Sequence, residues 1–189
     1  MKWPTNLGDK FIDWNLLVEA GGQPHKKCVL ELGHGIGTDA LVMAASAAHW
    51  TSLDIDMEVL NWVKSFAPTI DPVLWDLNTD KLPFESNAFD LVIDFSSLDD
   101  CRASWRIYLE IARVLKHRGH FITTFANALA VKDVKEYPHF TFRRGNRIYN
   151  ILKRAGMYTY YRKDDSSCMR ASLAAFKGTE SQYCVLHGL

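Results

Sequence analysis

The chain alternates between apolar runs of strand length and segments whose apolar residues recur with helical period. The run CVLEL, residues 28 to 32, and the run FDLVIDF, residues 89 to 95, predict two buried strands. Five further strands are predicted at SLDID, DPVLWDL, HFITTF, MYTYYRK and QYCVLHG. Strands that alternate with helices along a chain are typical of an α/β domain with a parallel sheet.

Helices are predicted between these strands. Asp9 to Ala20 predicts an opening helix closed by two glycines, and Thr38 to Ala48 predicts a buried helix. Arg147 to Ala155 predicts a late helix that ends at Gly156. Ala126 to Phe142 is expected to form a loop or short helix over one face of the sheet, while residues 166 to 180 carry no pattern that we can assign.

Two more helices are predicted from apolar stripes. The first ends before Pro68, and the second is broken by HRG, residues 117 to 119. The stripes consist of Val59, Trp62, Val63 and Phe66 in the first helix, and of Ile107, Ile111, Val114 and Leu115 in the second.

Composition is that of a globular protein. A chain of 189 residues, with 48% hydrophobic and 23% charged residues, is expected to form one domain around one core. No apolar stretch reaches the roughly 18 residues that a membrane-spanning helix needs. The first residues lack an apolar segment followed by a cleavage site, so we expect a soluble cytoplasmic protein with no membrane partner. The oligomeric state is left open.

Cysteine and charge restrict the chemistry further. The four cysteines are far apart and form no Cys/His cluster, so reduced thiols are expected rather than a metal site or disulfides. The net charge is zero, but residues 143 to 189 hold nine Lys/Arg against three Asp/Glu. This basic part is either a solvated surface or a site for an anionic partner. Because the pI is near 7.0, a small anionic acceptor is favoured over a nucleic acid.

The stretch VLELGHGIGTDALVM, residues 29 to 43, places three glycines between a predicted strand and a predicted helix. Such a turn brings backbone N–H groups to the edge of the sheet where ligands of open α/β folds bind. Gly35-x-Gly37-x-x-Ala40 satisfies the dinucleotide fingerprint, and Asp54 lies near the distance expected of a ribose-binding acid. The loop by itself therefore leaves a nicotinamide or flavin enzyme open.

The full ordered set of motifs is more specific than the loop. ELGHGIG is followed by LDID, by WDLN with LPF, by FDLVIDF and by EIARVLKHRGHFI. In this order, over about Cys28 to Phe125, the motifs resemble those of the class I S-adenosylmethionine-dependent methyltransferases. The resemblance implies a Rossmann-like doubly wound fold: a mostly parallel seven-stranded sheet with helices on both faces and an antiparallel last strand. It also implies S-adenosylmethionine as cofactor and methyl transfer as the activity.

The resemblance assigns cofactor-binding roles to individual positions. Glu31 and the three glycines would form the loop under the methionine and ribose parts of the cofactor, Asp54 would hold the ribose hydroxyls, and Asp76 would accept from the adenine amino group. His34 would either touch the cofactor or cap the turn. The complete set is Glu31, Gly33, His34, Gly35, Gly37, Asp54, Ile55, Asp76, Leu77, Asp94 and Phe95.

The sequence identifies no catalytic residue and no metal site. Asp99 and Asp100 are expected to begin or cap the following helix. DFSS, residues 94 to 97, differs from the (Asp/Asn/Ser)-Pro-Pro-Tyr pattern of amino-methylating DNA enzymes, which disfavours that class of substrate. We expect a small-molecule acceptor rather than a nucleic acid or protein. Residues 1 to 22 and 126 to 142 are the segments available to cover the site. The alternatives are an NAD(P)-dependent oxidoreductase, an inactive cofactor-binding scaffold, and sulfonium chemistry other than methyl transfer.

Overall fold

One seven-stranded sheet organises the chain, in the order β3-β2-β1-β4-β5-β7-β6. The computed structural model describes residues 23–100, 102, 105–129, 144–163 and 170–187. β1 to β5 pair in parallel, whereas β7 runs antiparallel to both β5 and β6. The strands are β1 Cys28–Leu32, β2 His49–Asp54, β3 Ile70–Leu74, β4 Phe89–Phe95, β5 Leu115–Ala126, β6 Met157–Lys163 and β7 Arg170–Lys177. The predicted doubly wound sheet with an antiparallel last strand is confirmed.

Helices connect the strands. They are α1 Thr38–Met43, α2 Met57–Phe66, α3 Ser97–Asp100, α4 Arg106–Val114, α5 Gly145–Arg154 and α6 Glu180–His187, with 3-10 turns at Ala44–Ser46 and Leu77–Thr79. No helix among the described segments is long and apolar enough to cross a membrane.

The central strands are buried on both faces, which explains their continuous apolar runs. In β4, Val92 packs into the core beneath α4 and α5, while Leu91 and Ile93 face the opposite core, which contains residues of α1 and α2. All three side chains are fully buried. This double burial places the ends of β1 and β4 in the middle of the molecule, where they can support a ligand.

The prediction for the last strand is wrong in position. QYCVLHG forms most of α6, and the final strand is RASLAAFK, residues 170 to 177. Alanine has a low strand propensity, so this strand gives a weak pattern although its alanines are fully buried. A capping box begins α6: the Thr179 N–H donates to Gln182 Oε1 at 3.0 Å, and the Gln182 N–H donates to Thr179 Oγ1 at 3.2 Å. The TESQ pattern was the signal that could have identified the helix.

Two predicted helix faces are also wrong. α1 is shorter than predicted, and it exposes Leu41 and Val42 instead of burying them. α2 does end before Pro68, but its buried residues are Leu60 and Val63. Trp62 and Phe66 instead pack edge to face against each other on the exposed side, with ring centroids 5.2 Å apart, as residues four apart on a helix can.

HRG does not separate α4 from β5. β5 begins at Leu115, directly after α4, and HRG lies inside the strand. The register with β4 shifts between Phe89, paired with Leu115, and Leu91, paired with His120. The extra residues form an irregularity in which Arg118 adopts a φ of 68°. The predicted opening helix at Asp9 to Ala20, and residues 130 to 142 of the segment predicted to cover the site, lie outside the described residues.

Candidate cofactor site

The predicted site residues lie along one edge of the sheet. β1, β2, β3 and β4 are parallel neighbours, so their carboxyl ends meet at the same edge. The glycine loop follows β1, Asp54 ends β2, Asp76 follows β3, and Asp94 lies next to the end of β4. The strand order reverses between β1 and β4. Ligands of open α/β folds bind at the carboxyl edge of the sheet beside such a reversal.

The three glycines are required by the backbone. Gly33, Gly35 and Gly37 have φ values of 69°, 52° and 74°, in the left-handed region that side chains disfavour. A Cβ atom at Gly33 would lie 2.2 Å from the Ser97 side chain, and one at Gly37 would lie 2.4 Å from Val63. A Cβ at Gly35 would meet no atom of the described residues within 4 Å. The middle of the loop therefore offers bare backbone to a ligand, while its two ends pack tightly against the protein.

A buried polar network supports the loop from below. Glu31 Oε2 accepts from Ser52 Oγ at 2.6 Å and from Trp50 Nε1 at 3.1 Å, and it lies 2.8 Å from His34 Nδ1. Glu31 and His34 are both only 3% exposed. The second oxygen of Glu31 and Nε2 of His34 are buried and find no hydrogen-bond partner among the described residues. Of the two roles considered for His34, its position under the turn favours support of the loop.

Replacing Glu31 by glutamine should destabilise the fold. The amide keeps the shape, but its oxygen carries no charge and accepts more weakly than the carboxylate oxygen that now serves Ser52, Trp50 and His34. Its NH₂ group also adds donors to a buried site that needs acceptors. We expect the free energy of unfolding to fall by about 2 kcal/mol, measured by urea denaturation. The matched variant Glu58→Gln changes an exposed carboxylate in α2 and should leave the midpoint unchanged. Equal stability of the two variants would contradict the role given to Glu31.

Asp54 connects the end of β2 to the glycine loop. Its Oδ2 accepts from the Gly35 N–H at 2.9 Å, and its Oδ1 accepts from the Asp56 N–H at 3.0 Å. The side chain is half-buried, and Ile55 beside it is 66% exposed. Each carboxylate oxygen can take a further donor, so the group can hold the loop and still accept from a ligand hydroxyl.

Asp76 precedes the 3-10 turn after β3. Its Oδ1 accepts from the Asn78 N–H at 2.8 Å and from Asn78 Nδ2 at 2.7 Å. No donor among the described residues reaches its Oδ2, which leaves one carboxylate oxygen for a ligand. Leu77 follows with only 8% of its surface exposed, because its side chain belongs to the core under α4.

Asp94 and Phe95 lie behind the rim. Asp94 is 1% exposed; its Oδ1 accepts from the N–H groups of Ser97 and Leu98 at the start of α3, and its Oδ2 accepts from Thr123 Oγ1 at 2.8 Å. Phe95 packs on the core beside α1 and α2. Asp94 is thus placed to support the floor of the site through α3.

Three further residues make contacts beside the site that only the structure shows. Ser97 Oγ donates to the Gly33 carbonyl at 3.1 Å and so ties α3 to the glycine loop. Asn78 holds Asp76. Asp99, predicted to begin or cap a helix, instead lies within α3, where its Oδ2 accepts from the Ala126 N–H at 2.7 Å. The contacts of Ser97 and Asp99 join residues that are far apart in the chain, so local patterns could not reveal them, whereas Asn78 lies only two positions from Asp76. Among the described residues no His, Cys, Asp and Glu side chains form a group that could hold a metal ion.

The residues present fit S-adenosylmethionine. Gly35 offers open backbone, Asp54 has spare acceptor capacity at the loop, and Asp76 has an oxygen that no donor in the described part of the chain reaches. The same edge also carries the buried Asp94. A cationic cofactor with ribose hydroxyls and an adenine amino group matches this excess of acceptors and negative charge.

Comparison with known proteins identifies the family. A family model described as a methyltransferase domain matches residues 30–123, about half of the chain. A Mycobacterium tuberculosis phthiotriol/phenolphthiotriol dimycocerosates methyltransferase is 33% identical over 109 residues, which are 55% of this chain and 38% of that protein. The chain spans less than half the length of the curated relatives it matches.

Solved structures share the fold. An S-adenosylmethionine-dependent methyltransferase from Mesorhizobium loti superposes with a TM-score of 0.73 at 16% identity, covering 87% of this chain and 97% of the other. The [4+2]-cyclase SpnF superposes with a TM-score of 0.74 at 18% identity, covering 90% and 81%. The motif order, the sheet topology and the matching family model agree, and the chain belongs to the class I S-adenosylmethionine-dependent methyltransferase family.

Proposed function

We propose that this protein transfers a methyl group from S-adenosylmethionine to a small anionic acceptor. The observation that carries the proposal is the arrangement around Gly35, where bare backbone lies beside the Asp54 carboxylate at the carboxyl edge of the sheet. Asp76 follows the neighbouring strand β3 at the same edge. The family model over residues 30–123 supports this assignment, and it favours neither a nicotinamide enzyme nor a scaffold.

The bound cofactor supplies a methyl group already activated by the positive charge on its sulfur. The protein's task is therefore to bind, orient and desolvate. Asp54 is assigned to the ribose hydroxyls, Asp76 to the adenine amino group, and Asp94 to the support of the floor through α3. Holding two reactants in line can supply about 7 to 11 kcal/mol in well-oriented systems, so no acid or base is required for an acceptor that is already deprotonated.

An anionic acceptor is supported by the start of α5. β6 is parallel to β5, because both run antiparallel to β7, so α5 leaves the carboxyl edge and runs toward the opposite edge. Arg144 and Arg147 are exposed at this first turn. Cationic side chains and the positive end of a helix both favour negative charge nearby. The acceptor named for the mycobacterial relative is not carried over, because the chain covers only 38% of that protein.

Calorimetric titration tests the cofactor assignment. The protein should bind S-adenosylhomocysteine and should not bind NADH. Binding of NADH alone would replace the proposal with a nicotinamide enzyme. The acceptor class is tested by incubating the protein with S-adenosylmethionine labelled in its methyl group and a whole cell extract, and comparing the labelled products, separated by molecular mass, with those of the same extract without the protein. The label should appear in a small-molecule product that is formed from an anion. Label in macromolecules, or no transfer at all, would contradict the proposal.

A further inference from the structure

We propose that Asn78 is a positioning residue that aims the Asp76 carboxylate at the adenine amino group and thereby sets the preference of the site for adenine. This inference rests on the proposed function, because it requires S-adenosylmethionine to lie along the carboxyl edge with its base beside Asp76.

The contacts of Asn78 fix both ends of its amide group. Asn78 Nδ2 donates to Asp76 Oδ1 at 2.7 Å, and Asn78 Oδ1 accepts from the Arg102 N–H at 2.5 Å. A backbone N–H can only donate, so the atom facing Arg102 must be the amide oxygen. The NH₂ group of Asn78 is therefore directed to Asp76 by a contact from a different part of the chain.

These contacts restrict Asp76 to one orientation. Its Oδ1 takes two donors from Asn78, the backbone N–H at 2.8 Å and the side-chain amide. Its Oδ2 is reached by no donor among the described residues. A half-buried aspartate held by one bond alone could rotate about its side-chain torsions, and a ligand would have to order it on binding. With Oδ1 held twice, the acceptor for a ligand amino group is in place beforehand.

The side-chain amide is not needed for the turn itself. The 3-10 turn Leu77–Thr79 is already capped by the Asp76 side chain through the backbone N–H of Asn78. The amide adds a second donor to Asp76 and a link to Arg102, which belongs to the segment before α4. Both additions serve the orientation of the carboxylate, and both would be lost in alanine.

The test measures adenine preference rather than affinity alone. Calorimetry would compare S-adenosylhomocysteine with its 6-deamino purine analogue, which lacks the donor that Asp76 accepts. The wild-type protein should favour adenine by about tenfold, the usual size of one hydrogen bond to a charged group. Asn78→Ala should lose most of this preference while binding the purine analogue as the wild type does. Asn78→Asp, which brings a second carboxylate against Asp76, should lose it completely.

Thr79→Ala is the matched control. Thr79 lies in the same turn, and its hydroxyl donates to the carbonyl oxygens of Asp76 and Lys81, away from the carboxylate. It should keep the adenine preference. Undiminished preference in both Asn78 variants, or an equal loss of affinity for both nucleosides, would overturn the role of Asn78. Failure of the wild-type protein to bind S-adenosylhomocysteine would instead remove the proposed function, so the two failures are distinguishable.

Discussion

Replacing Asp54 by alanine should weaken binding of S-adenosylhomocysteine by about a hundredfold or more. The carboxylate is assigned two ribose hydroxyls, and hydrogen bonds to a charged group contribute about 1.5 to 3 kcal/mol each. Its removal also frees the Gly35 N–H, which Asp54 Oδ2 accepts at 2.9 Å, so the loop that faces the cofactor loses its anchor. Isothermal titration calorimetry measures the change directly.

Asp56→Ala is the matched control for this experiment. Asp56 lies two residues further along the same edge, but its Oδ1 caps α2 by accepting from the N–H groups of Glu58 and Val59. Its loss should lower the free energy of unfolding by about 1 kcal/mol and leave cofactor affinity nearly unchanged. If Asp54→Ala bound the nucleoside as well as Asp56→Ala does, Asp54 would not hold the ribose.

The elements that could be predicted are those whose burial is uniform. FDLVIDF is buried on both faces in the centre of the sheet, so its apolar run ends at the strand's own boundaries. RASLAAFK is equally buried, but it fills its place with small residues that carry no strand signal. The buried face of α2 was predicted wrongly for a different reason. Trp62 and Phe66 are large and apolar, but they pack against each other on the exposed side rather than against the sheet. Hydrophobic character alone does not distinguish these two kinds of contact.

The position of the candidate site could be predicted to the extent that the sequence shows where each strand ends. The carboxyl ends of parallel strands lie at a common edge of the sheet. Motifs that follow successive strands in the sequence are therefore close together in the fold. What the sequence could not show is how these residues are held. Ser97 reaches the Gly33 carbonyl across 64 positions of the chain, and Asn78 reaches the Arg102 N–H across 24. Such contacts depend on where the fold places α3 and the backbone of Arg102, which no local pattern specifies.

Replacing Gly33 by alanine should destabilise the fold by about 4 kcal/mol, a large part of the roughly 5 to 15 kcal/mol that a domain has. Two effects add. The residue has a φ of 69°, which costs a side chain about 1 to 2 kcal/mol, and the new methyl group would lie 2.2 Å from the Ser97 side chain. Urea denaturation followed by circular dichroism measures the loss.

Gly35→Ala separates the two effects, because Gly35 has a similar φ of 52° but no atom of the described segments lies within 4 Å of the added methyl group. It should cost only the backbone strain, about 1 to 2 kcal/mol, so the difference between the variants measures the clash with Ser97. Adding Ser97→Gly to Gly33→Ala removes the clashing Cβ and should recover part of the difference, with a coupling of about 2 kcal/mol between the two sites. Equal destabilisation by Gly33→Ala and Gly35→Ala, with no such coupling, would mean that α3 moves freely away from the loop. The floor of the site would then not be fixed by the contact between Ser97 and Gly33, and Asp94 could not support the cofactor through α3.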